Sequence, residues 1–215
     1  MKKNSFIRND KINLFQKDAI INLFPIYSIN HNNMKIIHLN EIFKNDNKNV
    51  LEIGFGNGEN LIHMAVKYPN VNFIGVELYK KGICNLLINI HLVRLNNLKI
   101  IYKNVNNILN NISFNSIYGI HLLFPDPWHK KKHNKRRLIS NKFLFFLSNV
   151  VEKNGFIHIA TDISFYFFFI INLFFKNKYY LIPKKFVKKT AIFKKTKYQN
   201  KVKNSSFSET IIYKK

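Results

Sequence analysis

The residue types best suited to chemistry lie in the run LFPDPWHKKKHNKRRL. Asp126 follows an apolar strand end and lies between Pro125 and Pro127. Because proline fixes its own φ and restricts the residue before it, this turn is expected to be stiff. Trp128 comes next, and residues 130–137, which we call the basic strip, hold six lysines and arginines. A carboxylate on a rigid strand end beside clustered cations favours chemistry next to a polyanion. The simpler alternative is a proline turn followed by a solvated run of charge.

A glycine cluster in the sequence LEIGFGNGEN supplies a second candidate site. Gly54, Gly56 and Gly58 lack a Cβ, which lets the backbone turn sharply and approach a ligand closely. The pattern differs from the dinucleotide fingerprint G-x-G-x-x-G, because Glu59 occupies the place of its last glycine. That carboxylate, together with Glu52, suits a ligand with positive charge and no phosphate, such as S-adenosyl-L-methionine, better than a nicotinamide dinucleotide. A tight turn that binds no ligand is the alternative.

Glu77 closes the next apolar run, roughly 20 residues beyond the glycines, where an acid typically binds the ribose hydroxyls of an adenosine cofactor. The alternative is a surface acid at the end of a strand. A nicotinamide oxidoreductase is further disfavoured because the chain shows no paired acid and base motif. The charge pattern therefore favours a methyl donor.

These residues follow apolar runs that alternate with stretches of helical spacing. The predicted strands are residues 50–53, 71–76, 98–102, 117–124 and 155–160. The predicted helices are residues 61–68, 81–95, 143–151 and 165–175. Strands separated by helices favour an α/β fold with a doubly wound, mostly parallel sheet, in which ligands lie at the carboxyl ends of the strands. The glycines, Glu77, Asn104, Asp126 and Asp162 each follow a predicted strand, so we expect them at one rim of the sheet.

The charge of the chain limits the kinds of partner that it is expected to bind. Its 215 residues include 35 Lys and Arg against 11 Asp and Glu, a formal net charge of +24, which implies an anionic partner such as nucleic acid. Cys84 is the single cysteine, which excludes an internal disulfide and fits a reducing cytosol. We expect no signal peptide, because the start lacks an apolar core before a cleavage site. The most apolar window, residues 165–175, is shorter than the roughly 20 residues of a membrane span, so we expect a soluble, cytoplasmic protein.

The motifs LEIGFGNGEN, GVEL, FPDPWHKKKHNKRR, ATD and TKYQNK, in this order, resemble those of the bacterial tRNA (guanine-46-N7)-methyltransferases. The glycine motif is shared by many methyltransferases, whereas FPDPWHK followed by HNKRR is highly specific, and the resemblance covers nearly the whole chain. It implies a Rossmann-like class I methyltransferase fold with an antiparallel last strand, S-adenosylmethionine as methyl donor and tRNA as partner. The implied product is 7-methylguanosine at guanine 46 of the variable loop. The resemblance also implies an N-terminal extension, residues 1–40, that packs on a methyltransferase domain, residues 41–215.

The resemblance assigns roles to individual residues. Asp126 falls on the family's catalytic acid and is also assigned to the cofactor site. The other matches to the cofactor site are Glu52, Gly54, Gly56, Gly58, Glu77 and Asn104. The substrate site is matched by Lys130, Asp162, Thr196, Lys197, Tyr198 and Gln199, and the RNA-contacting strip by Lys132, His133, Asn134, Lys135, Arg136 and Arg137. Asn104 and Gln199 stand where relatives have carboxylates, which removes a charge but keeps a hydrogen-bond acceptor.

The implied chemistry is mainly positioning. Guanine N7 carries a lone pair and no proton, so the reaction needs no strong general base. Orienting N7 in line with the methyl group can supply on the order of 7–11 kcal/mol. Positive charge then passes to the imidazole ring, and a carboxylate such as Asp126 can balance it. Phosphate contacts would position the tRNA, and its shape and an unstacked base would supply specificity.

Sequence alone leaves open the activity of the protein, the place of Trp128, the role of residues 184–203 and the oligomeric state. A non-catalytic RNA-binding protein on a decayed methyltransferase scaffold would not need the retained acids and glycines. Trp128 can stack on a base or pack behind the turn, and residues 184–203 form either a disordered basic arm or, as we favour, the segment that carries the substrate-binding motif. No metal site is expected, because His129 and His133 lack a third ligand and have lysine neighbours. We expect a monomer or homodimer that binds neither DNA nor membranes.

Overall fold

The computed structural model describes residues 11–30, 36–181 and 208–215. Within them the chain forms a seven-stranded sheet in the order β3-β2-β1-β4-β5-β7-β6. The strands are β1 (Lys48–Ile53), β2 (Val71–Glu77), β3 (Leu98–Tyr102), β4 (Ile117–Leu123), β5 (Val151–Thr161), β6 (Tyr180–Leu181) and β7 (Ser208–Lys214). Strands β1 to β5 pair in parallel, and β7 inserts antiparallel between β5 and β6. This order confirms the predicted doubly wound, mostly parallel sheet with an antiparallel last strand.

Helices cover both faces of the sheet. They are α1 (Leu14–Asn22), α2 (Phe24–Tyr27), α3 (Leu39–Phe43), α4 (Glu59–Lys67), α5 (Lys80–Val93), α6 (Asn141–Val150) and α7 (Ser164–Phe175). In α4 the buried side chains Leu61, Met64 and Ala65 recur at helical spacing, so one side of the helix packs on the sheet. Helix α6 begins where the Ser140 hydroxyl accepts the N–H of Phe143 at 3.3 Å.

The predicted boundaries differ from the observed ones by at most two residues, except at the start of β5, where the difference is larger. Val151 was predicted to end a helix, but it begins β5 and pairs with Ile117 of β4. The register then shifts until Gly119 pairs with Phe156, and Asn154 takes a φ of 62°. Because valine suits a buried helix end and a strand equally well, the apolar pattern alone could not place this boundary.

The central strands carry a row of buried ionisable side chains. Glu52 of β1 lies in register with His121 of β4, whose Nδ1 is 3.4 Å from Nδ1 of His158 on β5. Nε2 of His158 lies 3.5 Å from Oε2 of Glu209 on β7. All four side chains are buried. A row of ionisable groups therefore crosses four strands inside the protein.

The N-terminal helices contact one edge of the fold. Gln16 of α1 donates from Nε2 to Oδ1 of Asn85 on α5 at 3.1 Å, and the Ile29 N–H donates to the Ile100 carbonyl of β3 at 2.9 Å. Asn85 in turn donates to Oδ1 of Asn57 at 3.3 Å. These contacts tie α1 to α5 and Ile29 to β3, while the division at residue 40 stays a prediction.

The aromatic helix α7 is only partly buried. Tyr166 and Phe174 are inaccessible to solvent, whereas Phe168 and Phe175 are exposed. Across the residues that the structure describes, no helix combines the length and the hydropathy needed to cross a membrane.

Candidate active site

Strand β1 ends in the glycine loop, residues 54–58, which leads into α4. Gly54, Gly56 and Gly58 have φ values of 75°, 58° and 77°, a left-handed region that glycine adopts without steric cost. A Cβ on Gly54 or Gly56 would meet no atom within 4 Å, so their backbone borders open space. A Cβ on Gly58 would lie 2.6 Å from Cδ1 of Leu86, so that glycine is also required by packing against α5.

Glu77, at the end of β2, holds this loop in place. Its Oε2 accepts the Gly56 N–H at 2.9 Å, and its Oε1 accepts the N–H groups of Leu78 and Tyr79 at 2.6 and 3.0 Å. A carboxylate offers about four lone-pair positions, so these bonds leave Oε2 with capacity for a further donor. Glu77 thus supports the loop and can still accept a ligand hydroxyl.

Glu52 is the buried acid of the site, with 3% of its surface exposed. Its Oε2 accepts a hydrogen bond from Nδ2 of Asn60 at 2.7 Å. Burial raises the pKa of Glu52 from 4.5 to about 7, against the effect of the Asn60 hydrogen bond, and the charge of Glu77 raises it further. Because an ionised carboxylate is costly in such a place without a cationic partner, this position favours a positively charged ligand.

Asp126 is presented on the proline turn, residues 124–128. The turn begins where the Phe124 N–H donates to the Ala160 carbonyl of β5 at 2.7 Å. Phe124 and Trp128, at its two ends, have φ values of 52° and 47°. Bulky residues rarely adopt this left-handed conformation, which costs about 1–3 kcal/mol each and tends to occur at functional sites. The turn is therefore strained at both ends, and its Asp126 side chain is exposed.

These segments line one cleft of about 1010 Å³, at the carboxyl ends of the strands and beside the reversal of strand order between β1 and β4. Lys130 and His133 also line it. Five of the chain's 11 acidic residues are in the lining, namely Glu52, Glu59, Glu77, Asp126 and Asp162. In a chain with a net charge of +24, this concentration of carboxylates marks the cleft as a site for a cationic ligand.

Solved structures share this fold. The 16S rRNA methyltransferase KamB aligns with a TM-score of 0.62 over 87% of this chain and 98% of that one, at 8% identity. An antibiotic-related methyltransferase aligns with a TM-score of 0.60 over 82% of this chain and 92% of that one, at 16% identity. At such identities the likeness shows the Rossmann-like methyltransferase fold alone.

Sequence comparison is more specific. Residues 46–209 match the family described as "Putative methyltransferase". A tRNA (guanine-N(7)-)-methyltransferase of Buchnera aphidicola subsp. Schizaphis graminum (strain Sg) is 38% identical over 174 residues, 80% of this chain and 72% of that protein. One of Francisella philomiragia subsp. philomiragia is 39% identical over 156 residues, 72% of this chain and 68% of that protein. The chain belongs to the tRNA (guanine-N(7)-)-methyltransferase family. The resemblance found in the motifs is confirmed.

The cleft gathers most of the residues that the family pattern assigns to the cofactor. Those in its lining are Glu52, Gly54, Gly56, Glu77 and Asp126. Gly58 lies against Leu86 instead. Asn104 is absent from the lining, and its side chain accepts the Asn106 N–H at 3.0 Å to cap a 3₁₀ turn, Val105–Asn107. The binding roles of all these residues stay predictions.

The predicted substrate residues divide into two groups. Lys130 and Asp162 line the cleft. Thr196, Lys197, Tyr198 and Gln199 lie outside the residues that the structure describes, as do residues 184–203 as a whole. The placement of the substrate motif therefore stays a prediction.

The basic strip is not one uniform surface. Its residues Lys131–Arg136 form a 3₁₀ turn, in which side chains three apart share a side. Arg136 lies over the Trp128 ring with its Cζ 5.1 Å from the centroid, and the His133 ring meets Trp128 edge-on at 5.7 Å. Trp128 is accordingly half-buried beneath the strip. Lys132, Asn134 and Lys135 are exposed, as an RNA contact requires.

His133 is less readily protonated than an ordinary histidine. Partial burial lowers its pKa, and the positive charges of Arg136, Lys132, Lys130 and Lys135 lower it further. His133 is therefore neutral near pH 7 and can serve as a hydrogen-bonding group at the cleft.

Sequence reasoning missed Asn60 and Asn57, and it missed that the guanidinium of Arg137 lies over the Tyr166 and Phe169 rings of α7. Asn60 contacts Glu52, and Asn57 lies in the cleft lining. Their position just after the glycines was the available signal, since residues at the start of the following helix lie beside the end of β1. No local signal separates Arg137 from Arg136, because their difference arises only from the packing of α7.

Proposed function

We propose that this protein transfers a methyl group from S-adenosyl-L-methionine to N7 of guanine 46 in the variable loop of tRNA, in the cytoplasm. The observation that carries the proposal is the acidic cleft, which holds five of the 11 acids of a strongly basic chain. S-adenosylmethionine has a sulfonium, an amino group and no phosphate, and so matches that charge. The names of the relatives support guanine N7 of tRNA as the methyl acceptor.

The cleft residues fit this cofactor. Glu52 offers a buried negative charge to its cationic part, and Oε2 of Glu77 has capacity for a ribose hydroxyl. The backbone of Gly54 and Gly56 borders open space, where a ligand can approach closely. The cleft, at about 1010 Å³, is at the upper end of the usual range of ligand pockets, which leaves room for a base beside the cofactor.

When bound, S-adenosylmethionine supplies an electrophilic methyl group. The chain's own contribution would be to hold guanine N7 in line with that group. Asp126 then balances the positive charge that arises on the imidazole ring, an interaction stronger in the transition state than in the ground state. The proline turn, which the surrounding structure holds in a strained conformation, presents this carboxylate at the cleft before the RNA arrives.

The proposed RNA contacts lie next to the cleft. Lys132 and Lys135 are exposed on the basic strip, which runs directly from Lys130 in the cleft lining. Phosphates held there would place the variable loop at the mouth of the cleft without reading its sequence. Selection of guanine 46 would then depend on tRNA shape.

The direct test incubates the full chain with labelled S-adenosylmethionine and total tRNA and maps the modified base. We expect label in 7-methylguanosine at position 46. Label at another guanine would leave the enzyme class intact and refute the position. tRNA binding without any transfer would favour a non-catalytic RNA-binding protein on this scaffold.

Asp126→Asn tests the catalytic assignment. Because the change keeps size and removes charge, the single-turnover rate constant should fall roughly 10- to 100-fold while tRNA affinity stays near wild type. Asp18→Asn, on the exposed side of α1, is the matched control and should keep full activity. If binding and rate fall together, Asp126 only orients the base, and a fully active variant removes it from the chemistry.

A further inference from the structure

Arg137 is the residue of the basic strip that turns toward the protein. It is half-buried, whereas Lys135 and Arg136 are exposed. Its Nε donates a hydrogen bond to the carbonyl of Pro127 at 2.8 Å. That carbonyl belongs to the residue directly after Asp126, so Arg137 is bonded to the backbone of the proline turn.

The guanidinium of Arg137 also lies among aromatic rings of α7. Its Cζ is 4.7 Å from the ring centroid of Phe169, 5.3 Å from that of Tyr166 and 5.6 Å from that of Phe165. Tyr166 is fully buried, and burial raises its pKa to about 12, against the opposing charge of Arg137. A cation held over three rings of α7 is a fixed point rather than a mobile surface charge.

The proline turn needs such a fixed point. Its first residue, Phe124, is anchored to β5 by its N–H bond to Ala160. Its last residue, Trp128, is in a left-handed conformation that a bulky residue rarely adopts. The Arg137 bond to Pro127 fastens this second end. Strained residues persist only where the surrounding structure holds them.

We propose that Arg137 is a positioning residue, which holds the Asp126 carboxylate at the reacting base by clamping the proline turn to α7, and that it is not a phosphate contact. The link to catalysis rests on the proposed function. The clamp itself does not, and can be measured without any methyl transfer.

Trp128 reports on the clamp directly, because it is the single tryptophan of the chain and ends the proline turn. In Arg137→Ala we expect its fluorescence emission to shift to longer wavelength and its quenching by acrylamide to increase. Lys142→Ala is the matched control, since it removes a cation 5.5 Å above the Phe146 ring on α6, away from the turn. It should leave Trp128 unchanged. Unchanged Trp128 fluorescence in a folded Arg137→Ala protein would overturn the clamp.

Kinetics then test what the clamp does. At saturating cofactor and tRNA, Arg137→Ala should lower the methyl-transfer rate constant by roughly tenfold or more, as expected for a misplaced catalytic group. Its tRNA affinity and the salt dependence of binding should stay as in wild type. A loss of affinity with a flatter salt dependence would instead make Arg137 a phosphate contact and refute the proposal. So would a shifted Trp128 with an unaltered rate.

Arg137→Lys keeps the test decisive if the alanine variant does not fold. Lysine keeps the charge but lacks the Nε donor and the planar group that lies over the rings. We expect a folded protein with an intermediate Trp128 shift and an intermediate rate, and wild-type values for both would overturn the proposal. Failure of the proposed function is a separate result, because it would appear as an inactive wild-type enzyme whose Trp128 still responds to Arg137→Ala.

Discussion

Glu52 and Glu77 lie near the ends of neighbouring strands and line the same cleft, but they have different roles. Glu77 accepts three backbone N–H groups and holds the glycine loop in shape. Glu52 is buried beside Asn60, and its pKa is raised to about 7, first by burial. Binding of a cation therefore changes the protonation of Glu52. At Glu77 the cation meets a carboxylate that hydrogen bonds already hold in place.

S-adenosylmethionine affinity should depend on pH through Glu52. A cationic ligand favours the ionised carboxylate, so below a pKa of about 7 binding must release the proton that Glu52 carries. Affinity should accordingly rise between about pH 6 and 8, and calorimetry at pH 6 in buffers of different ionisation enthalpy should detect proton release.

Glu52→Gln isolates this effect. Glutamine can still accept the Asn60 hydrogen bond but cannot ionise, so the variant should bind more weakly and with little pH dependence. Glu152→Gln, which alters a surface ion pair with Lys48, should behave as wild type. Binding of the cofactor to wild type without proton release at pH 6 would contradict the role of Glu52.

The basic strip should act through the side chains that its 3₁₀ turn leaves exposed. We expect Lys132→Ala, Lys135→Ala and Arg136→Ala together to weaken tRNA binding and to reduce the slope of log affinity against log salt by roughly 2 to 3. Cofactor affinity should stay the same. Equilibrium binding over a series of salt concentrations measures both.

The control for the strip is a triple change at exposed lysines on other parts of the surface: Lys17, Lys67 and Lys153. It removes the same charge but should keep the slope, because no phosphate contact is lost. An equal loss of slope in both triple variants would show that the strip acts only as part of the general surface charge.

The elements that sequence patterns located are those whose pattern is local. The runs that became β1 to β4 are mostly apolar, and residues that follow β1, β2 and β4 line the cleft. Strand β7 was implied only by the family resemblance and could not be located, because its pairing with β5 is a long-range contact. Helix α1 could not be predicted from the sequence, because only Gln16 and Ala19 are buried in it and it has no apolar stripe.

The candidate site shows the same limit. Carboxylates and glycines at strand ends could be predicted, because strand ends meet at one rim. The left-handed Phe124 and Trp128 could not, since neither residue type signals a positive φ. The inward turn of Arg137 depends on the rings of α7, which lie about 30 residues further along the chain.

The protein separates its negative charges from its positive ones. The surface carries a large excess of lysine and arginine, whereas nearly half of the acids line one cleft. A polyanion is attracted to the exterior and a cation to the cleft, so the same chain can concentrate two ligands of opposite charge at adjacent places.

The buried row across the sheet should set how stability depends on pH. Burial, and then the charge of His158, lower the pKa of His121 from 6.5, so the unfolded chain binds a proton below that pH that the folded protein does not. This term lowers stability as pH falls. Glu52 has the opposite sign, because its folded pKa of about 7 exceeds the unfolded 4.5, so its term lowers stability as pH rises through that interval.

The two terms should cancel in wild type between about pH 4.5 and 6.5, where one proton is taken up and one released on unfolding. Glu52→Gln removes one term, so its unfolding free energy should rise with pH across this range by about 1.4 kcal/mol per pH unit relative to wild type. By pH 8 the variant should be more stable than wild type by roughly 3 kcal/mol, the value of the interval from 4.5 to about 7. His121→Gln should change the slope in the opposite direction. Denaturant unfolding at pH 5, 6, 7 and 8 measures these differences, and parallel curves for wild type and Glu52→Gln would show that Glu52 is ionised in the folded protein throughout.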